Sequence, residues 1–112
     1  VYTGTHDNVT TEGWRLNASP EDVHYACRYL RCQPEDLTEA MIAACLSSVS
    51  DMAVIPMADW LHLGAEARIN TPSTQGANWQ WRLDTPLTGL LADHIADLTV
   101  LYDRAPAVPE SV

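Results

Sequence analysis

Two short apolar runs, far apart along the chain with helical residues between them, constrain the fold most. Residues 1–3 (VYT) form a β-type run that stops at Gly4, and residues 51–56 (DMAVIP) are typical of a short buried strand. Strands that are separated by helices pair in parallel. The order strand, helices, strand, loop, helix is a βαβα pattern. It predicts an α/β fold in which the two strands pair in parallel within a larger sheet.

The helices between the two runs carry recognisable start signals. Ser19 is a good N-cap and Pro20 suits the first helical position, so a helix is predicted over 19–32. Pro34 predicts the start of a second helix, with an apolar stripe from Leu37 to Val49 that indicates burial on much of its circumference. Residues 9–18, which precede both helices, are predicted to form a loop or an irregular turn.

The second half of the chain contains a long irregular stretch and a last helix. Residues 57–84 include Gly64 and Gly76 and three of the four tryptophans, with a helical turn predicted over 58–61. A loop of this length is either functional or disordered, and the tryptophans argue against disorder. Thr85 and Pro86 predict the cap of the last helix. Its apolar stripe comprises Leu87, Leu90, Leu91, His94, Ile95, Leu98, Leu101 and Tyr102.

Charge excludes two classes of partner. The formal net charge is −9, and the basic residues number 6, all arginine. Binding to phosphate backbones needs a basic face, so neither nucleic acid nor an anionic membrane is expected as a partner.

No apolar run approaches the roughly 20 residues of a membrane-spanning helix. The 3 cysteines lack metal-ligand spacing and predict reduced thiols in a cytoplasmic protein, with no metal site.

The polar cluster Thr5-His6-Asp7-Asn8 directly follows the first predicted strand. A carboxylate beside an imidazole at a strand end can hold sugar hydroxyls or stabilise a developing positive charge. The same residues also suit a solvated turn, since Asp and Asn are frequent turn formers. Spacing alone does not decide between a binding site and a turn.

Longer motifs around this cluster resemble those of a known family. YTGTHDN…TT..GW resembles the third catalytic region of the amylomaltases, the 4-α-glucanotransferases of glycoside hydrolase family 77. IPMADWLHLGAEARINTPSTQGANWQWR is similar to the late motif of that family, roughly PxQDLLGLGxEARMNxPGTxxGNWxWR, and LTGLLADHIADLTVLYDR resembles its C-terminal helix. The resemblance covers almost the whole chain, and its motifs follow one another in the family's order.

This resemblance implies a fold and an activity. Family members are (β/α)₈ TIM barrels with extra subdomains that move α-1,4-glucan segments between malto-oligosaccharides by a retaining double displacement, without a cofactor. Residues 1–104 then correspond to about the last quarter of the barrel, strands 7 and 8 with their helices, and 105–112 to a flexible tail. The nucleophile and the acid/base of the family lie on earlier strands, before residue 1, so the isolated chain is expected to be inactive.

The resemblance also implies roles for individual residues. Asp7 matches the catalytic carboxylate that holds the sugar's secondary hydroxyls and stabilises the oxocarbenium-like transition state. His6 matches the neighbouring donor to the sugar, and Asn78 matches a polar residue that lines the cleft. Asn8 and Trp79 are predicted to contact substrate, although Trp79, like Trp81, equally suits a role as an anchor of the loop.

Other motif positions are less informative. Asp59 matches the family without a defined role, whereas Glu66 and Arg68 are predicted to brace their loop. Four positions depart from the family pattern: Val9, Ala58, Ile69 and Ser73 replace Asp, Gln, Met and Gly. Loss of a polar group at Val9 and Ala58 is consistent with weaker substrate binding, with a fragment that has drifted in sequence, or with a divergent branch of the family, and the sequence does not decide among these.

Two functional hypotheses remain from the sequence. The chain is either part of a 4-α-glucanotransferase that acts on α-glucan, or a non-catalytic barrel-derived module that binds carbohydrate or self-associates. Two strands removed from a barrel would expose unpaired edges and apolar helix faces. The isolated chain is therefore expected to self-associate.

Overall fold

A parallel bridge joins the two predicted strands. In the computed structural model, Tyr2 pairs with Val54, and the N–H of Val54 donates to the carbonyl oxygen of Val1 at 2.8 Å. The N-terminal ammonium group donates to the carbonyl oxygen of Met52 at 2.7 Å. The predicted parallel pairing is therefore confirmed at one position. In the part of the chain that the structure describes, this bridge does not extend into a longer β-ladder. A pair of strands without further neighbours is only marginally stable.

The structure describes residues 1–5, 8–71, 78, 81–83 and 87–105. Five α-helices lie in these ranges, together with 3₁₀ turns at Pro34–Asp36 and Ala65–Ala67. The helices are α1 (Thr11–Asn17), α2 (Pro20–Leu30), α3 (Leu37–Leu46), α4 (Met57–Trp60) and α5 (Gly89–Leu101). None of these helices is both long and apolar enough to cross a membrane. Of the predicted tail, residues 106–112 lie outside the described ranges.

Helix α1 corrects the prediction of a loop over 9–18. Thr10 is its N-cap and accepts a hydrogen bond from the N–H of Gly13 at 3.1 Å. Glu12, in the first turn, pairs with Arg15 and accepts a hydrogen bond from the hydroxyl of Thr38 at 2.8 Å. The bond to Arg15 lowers the pKa of Glu12 below its ordinary value, against the opposing effect of burial. Tertiary contacts thus stabilise a helix whose threonine and glycine residues have low helix propensity.

Gly13 allows α1 to approach the second 3₁₀ turn closely. A Cβ at this position would lie 2.7 Å from Cγ2 of Val9 and 3.0 Å from the backbone nitrogen of Ala65. The first contact can be relieved by a side-chain rotation, but the second requires the backbone to move. Gly13 is therefore explained by packing, in spite of its low helix propensity.

We expect Gly13→Ala to destabilise the fold. Overpacking costs about 1–3 kcal/mol, which exceeds the gain of about 1 kcal/mol that alanine gives inside a helix. Gly89→Ala is the matched control, because nothing lies within 4 Å of a Cβ at Gly89. That change should be neutral or stabilising by up to about 1 kcal/mol. Urea unfolding midpoints measure both variants, and a Gly13→Ala protein as stable as Gly89→Ala would contradict the packing argument.

Helix α2 confirms its predicted start. Ser19 is the N-cap and its hydroxyl accepts from the N–H of Asp22 at 3.2 Å, with Pro20 at the first position. The helix ends at Leu30, because Arg31 adopts a left-handed conformation with φ of 56°. The predicted helix from Pro34 begins instead with the 3₁₀ turn and continues as α3.

The core lies between α3, α4 and α5. Ile42, Leu46 and Trp60 are its buried residues, and partly buried side chains pack around them: Ala53, Ile55, Met57, Leu91, Ile95, Leu98 and Tyr102. The predicted stripe of α3 is confirmed up to Leu46 but not at Val49, which lies beyond the end of the helix and is fully exposed.

Helix α5 begins later than predicted. Its N-cap is Thr88, whose hydroxyl accepts from the N–H of Leu91 at 3.2 Å, so the prediction that Thr85 caps this helix is wrong. Thr85 and Pro86 themselves lie outside the described residues. His94 connects α5 to α3 through the carboxylate of Glu39 at 3.0 Å. The predicted apolar stripe of α5 is confirmed at Leu91, Ile95, Leu98 and Tyr102, which pack against the core. It is wrong at Leu90 and Leu101, which are 84% and 66% exposed.

Arg104 joins the end of α5 to the end of α3. Its guanidinium donates to the carbonyl oxygens of Leu46 at 2.7 Å, Ser48 at 3.1 Å and Ser50 at 3.0 Å. The last carbonyls of a helix have no partner within the helix. Arg104 supplies a hydrogen-bond donor for the carbonyl of Leu46. Its bonds to Ser48 and Ser50 also fix the segment that leads into residues 51–56.

Candidate functional site

A cavity of about 430 Å³ lies where the two sequence motifs meet. The residues after the first strand run form one side, and the segment that starts at Val54 forms the other. The described lining residues are Tyr2, Gly4, Thr5, Asn8, Val9, Thr10, Val54, Pro56, Met57, Ala58, Asp59, Ala67, Ile69 and Trp81. The parallel bridge therefore places side chains that are about fifty residues apart in sequence around one space.

Thr5 and Asn8 are closely connected at the edge of this cavity. The side-chain Oδ1 of Asn8 accepts from the N–H of Thr5 at 2.8 Å and from its hydroxyl at 3.0 Å. The N–H of Asn8 donates to the carbonyl oxygen of Thr5 at 3.1 Å. His6 and Asp7 lie outside the described residues, so their predicted roles stay predictions. The residues on either side of them are nevertheless tied together and line the cavity.

Asp59 connects the two motifs beneath the cavity. It is 3% exposed. Its Oδ1 accepts from the N–H of Thr11 at 2.9 Å, while its Oδ2 accepts from the hydroxyl of Thr11 at 3.0 Å and from the hydroxyl of Thr3. Both carboxylate oxygens are therefore occupied by protein donors. Asp59 positions the site and is poorly placed to attack a substrate.

The sequence contained a signal for this role of Asp59. An acidic residue inside the apolar segment IPMADW must be buried, and a buried carboxylate requires donors. Thr3 and Thr11 lie 56 and 48 residues away in sequence, so only the folded chain identifies them as those donors.

The late motif contributes Trp81 to the cavity, where its ring is half-buried. Asn78 is also half-buried, and its Oδ1 accepts from the N–H of Thr71 at 2.9 Å, which ties residue 78 to residue 71. It is not among the described lining residues, and its predicted contact with substrate stays a prediction. Trp79 lies outside the described residues.

Glu66 and Arg68 brace their loop locally, as predicted. An Oε1 atom of Glu66 accepts from the N–H of Gly64 at 3.0 Å. The Nε atom of Arg68 donates to the carbonyl oxygen of Asn70 at 2.9 Å. Both contacts are within two residues along the chain, so they stabilise the turn in which they lie.

Three of the four departures from the family pattern line the cavity. Val9, Ala58 and Ile69 are all lining residues, whereas Ser73 lies outside the described ranges. Their apolar side chains leave the lining with few polar groups near Asn8.

The acidic residues near the start of α2 and of α3 have a structural explanation. Glu21 and Asp22 lie in the first turn of α2, and Glu35 and Asp36 in the 3₁₀ turn before α3, as predicted from their favourable interaction with helix N-termini. Among the described lining residues the one carboxylate is Asp59. In the part of the chain that the structure describes, no group of three or more His, Cys, Asp or Glu residues is arranged to hold a metal ion.

Comparisons with known proteins agree on one family. The family profile described as 4-alpha-glucanotransferase, glycoside hydrolase 77, matches residues 1–88. A 4-alpha-glucanotransferase of Streptococcus pneumoniae is 43% identical over 107 residues, which are 93% of this chain and 21% of that protein. A chloroplastic/amyloplastic 4-alpha-glucanotransferase of Arabidopsis thaliana is 42% identical over 109 residues, 93% of this chain and 19% of that protein.

A solved structure gives the same result. The amylomaltase from Streptococcus agalactiae, in complex with acarbose, superposes with a TM-score of 0.86 at 36% sequence identity. The match covers 94% of this chain and 22% of that protein. The chain therefore spans about a fifth of the length of the relatives it matches.

Proposed function

Because this chain belongs to the 4-alpha-glucanotransferase family, glycoside hydrolase family 77, we propose that it forms one wall of the glucan cleft of such an enzyme. The enzyme transfers α-1,4-glucan segments between malto-oligosaccharides derived from starch, glycogen or maltose. The observation that carries the proposal is the cavity where the motif around Thr5 and Asn8 meets the motif around Asp59 and Trp81. Two family motifs that are distant in sequence enclose a single space.

The chain corresponds to strands 7 and 8 of a (β/α)₈ barrel, with their helices, over residues 1–104. The parallel bridge between Tyr2 and Val54 supports this assignment, since neighbouring barrel strands run parallel. In such barrels the substrate site lies at the C-terminal ends of the strands. Thr5 and Asn8 follow the first strand run and line the cavity, which is consistent with that location.

Asp7 acts as the transition-state stabiliser in this proposal. It accepts hydrogen bonds from the secondary hydroxyls of the sugar at the cleaved bond, and it contributes to rate only by binding the distorted, cationic ring better than the relaxed one. His6 donates to the same sugar. Asn8, whose side chain is bonded to Thr5, and Asn78 and Trp79 also contact the glucan in this proposal.

The attacking carboxylate and the acid/base lie in other parts of the enzyme. A retaining mechanism needs these two carboxyl groups about 5–5.5 Å apart. The oxygens of Asp59 are occupied by Thr3 and Thr11, so Asp59 cannot take either role without losing those bonds. No cofactor takes part in this proposal.

We expect the isolated 112-residue chain not to disproportionate maltotriose. It lacks the two groups that break and form the glycosidic bond, so glucose release should stay at the rate without protein. The full-length enzyme under the same conditions is the positive control. Glucose release by the isolated chain that disappears in an Asp7→Ala variant would show that the missing carboxylates are present after all.

A non-catalytic, self-associating module is the second candidate. Exposed apolar side chains support it: Tyr2 is 58% exposed on the strand run, and Leu90 is 84% exposed on α5. Patches of this kind bury themselves against a partner surface. In the enzyme that surface is the remainder of the barrel, and in the isolated chain it is a second copy.

The isolated chain is therefore expected to form a dimer or a larger assembly at micromolar concentration. Light scattering coupled to size exclusion measures its mass. Leu90→Glu should shift the distribution towards monomer, whereas Ala96→Glu, at an exposed position without an apolar side chain of comparable size, should not. A sharp monomer peak for the unmodified chain would rule out self-association.

The location proposed for the enzyme is the cytoplasm. Cys27, Cys32 and Cys45 are all free thiols, which is typical of a reducing compartment. Cell fractionation of the source organism tests this directly.

A further inference from the structure

Two cysteines lie together at the end of α2, away from the glucan cleft. The N–H of Cys32 donates to the carbonyl oxygen of Cys27 at 3.0 Å. Arg31, between them, has φ of 56° and ψ of 50°. This is the 6→1 hydrogen bond of a Schellman motif, in which the side chains at these two positions characteristically contact each other. The helix end thus brings two thiols together that are five residues apart.

The two thiols interact and share one cavity. Burial, followed by a side-chain hydrogen bond with Cys27, raises the pKa of Cys32, and the nearby charges of Asp36 and Glu35 act in the same direction. Both cysteines line a cavity of about 920 Å³ that lies beside α2. Cys27 is 7% exposed and Cys32 is half-buried, so Cys32 is the more accessible of the two.

The same cavity is lined by more arginine than acidic side chains. Arg15, Arg28 and Arg31 line it, together with Asp36. Arg28 and Arg31 are exposed to solvent, whereas Arg15 is paired with Glu12. A cavity of this size suits a small molecule, and its charge favours an anionic one.

We propose that Cys27 and Cys32 are a redox-active pair that closes to an intramolecular disulfide by exchange with an anionic small-molecule disulfide of the glutathione disulfide class. The Cys32 thiolate attacks one sulfur of glutathione disulfide, which forms a mixed disulfide and releases one glutathione thiolate. The Cys27 thiol loses its proton to solvent and attacks the sulfur of Cys32, which releases the second glutathione. Two protein thiols are oxidised, and one glutathione disulfide is reduced to two glutathione molecules.

This role goes beyond glucan transfer and does not depend on it. The disulfide would cross-link the last turn of α2 to the residue after its left-handed cap. Helix α2 packs against α3, and α3 carries the core residues Ile42 and Leu46. Oxidation therefore restrains the end of an element that supports the core, outside the cavity that contains Asn8 and Trp81.

Peptide mapping of the folded full-length protein tests the proposal. The protein is incubated with glutathione disulfide, remaining thiols are alkylated, and the product is digested with trypsin. Cleavage after Arg28 and Arg31 separates residues 16–28, which contain Cys27, from residues 32–68, which contain Cys32 and Cys45. A Cys27–Cys32 disulfide keeps these two peptides linked, with the loss of two hydrogen atoms.

Matched variants assign the bond. The link should persist in Cys45→Ala and disappear in Cys32→Ser, and Cys27→Ser should accumulate glutathione on Cys32. The exchange rate should rise with pH, because a raised pKa leaves less of Cys32 as thiolate at neutral pH. Far-UV circular dichroism verifies that each variant is folded.

Three results would overturn the proposal. Both thiols could remain fully alkylated after prolonged exposure to glutathione disulfide, the link could persist in Cys32→Ser, or it could form only after unfolding in urea. The first result would mean that the two cysteines serve only as the apolar contact of the helix end. The second would assign the bond to Cys45, and the third would show that the folded chain does not bring the thiols into bonding geometry.

Discussion

Asp7→Asn in the full-length enzyme is expected to reduce turnover of maltotriose by at least about a hundredfold, and by up to about a thousandfold, while the fold stays intact. The estimate rests on the cost of removing one preorganised group that stabilises a transition state. Asparagine keeps the size of aspartate and one of its acceptor oxygens. It loses the negative charge that, in the proposed role of Asp7, stabilises the positive charge that develops on the sugar. The loss should therefore fall mainly on kcat, with KM changed much less.

Steady-state kinetics of glucose release measure this effect. Asp22→Asn is the matched control, because Asp22 is an exposed carboxylate in the first turn of α2 and is not among the described lining residues of the cavity. It should retain nearly full turnover. Circular dichroism and the thermal midpoint should be the same for both variants. Turnover of Asp7→Asn that equals that of Asp22→Asn would remove Asp7 from the catalytic site.

Asp59→Ala is expected to lower the free energy of unfolding by about 3 kcal/mol or more. The change leaves the N–H and hydroxyl of Thr11 and the hydroxyl of Thr3 without their acceptor, at a position where the Asp59 side chain was almost fully buried. Each buried donor that loses its acceptor costs about 1–3 kcal/mol, reduced where a hydroxyl can rotate to another partner. The thermal midpoint should fall by roughly 10 °C or more.

Two controls separate the hydrogen bonds from the loss of charge and volume. Asp59→Asn keeps a carbonyl oxygen for the N–H of Thr11, and the threonine hydroxyls can accept from its amide, so a smaller loss of about 1 kcal/mol is expected. Asp97→Ala removes an exposed carboxylate on α5 and should leave the free energy of unfolding nearly unchanged. Amide exchange at Thr11 should accelerate in Asp59→Ala alone. Equal stability of Asp59→Ala and Asp97→Ala would contradict the proposed role of Asp59.

Local signals in the sequence were sufficient where one strong residue defines an element. Ser19 and Pro20 define the start of α2, and the βαβα order was enough to predict the parallel pairing that Tyr2 and Val54 make. The signals failed where tertiary contacts decide. Helix α1 begins at Thr11 and contains Gly13, so its local propensity is low, and its stability derives from contacts such as that between Glu12 and Thr38.

The same distinction applies to the candidate site. Motif resemblance selected Asp7 and Asn78 as functional residues and left the role of Asp59 open. Its role depends on donors about fifty residues away, which no local pattern contains. The start of α5 was likewise misplaced, because the prediction rested on Thr85 and Pro86, whereas Thr88 is the N-cap in the folded chain.

Arg104 has a consequence for where this chain can be shortened. Its guanidinium spans three carbonyl oxygens, of Leu46, Ser48 and Ser50, which needs several donors in a planar fork. Lysine, with a single nitrogen, cannot reproduce that span. Any truncation that ends before residue 104 would leave the exit of α3 without these donors and release the segment that leads to Val54. A shortened form of this chain must therefore retain Arg104, even though this residue lies outside the segments that line the cavity.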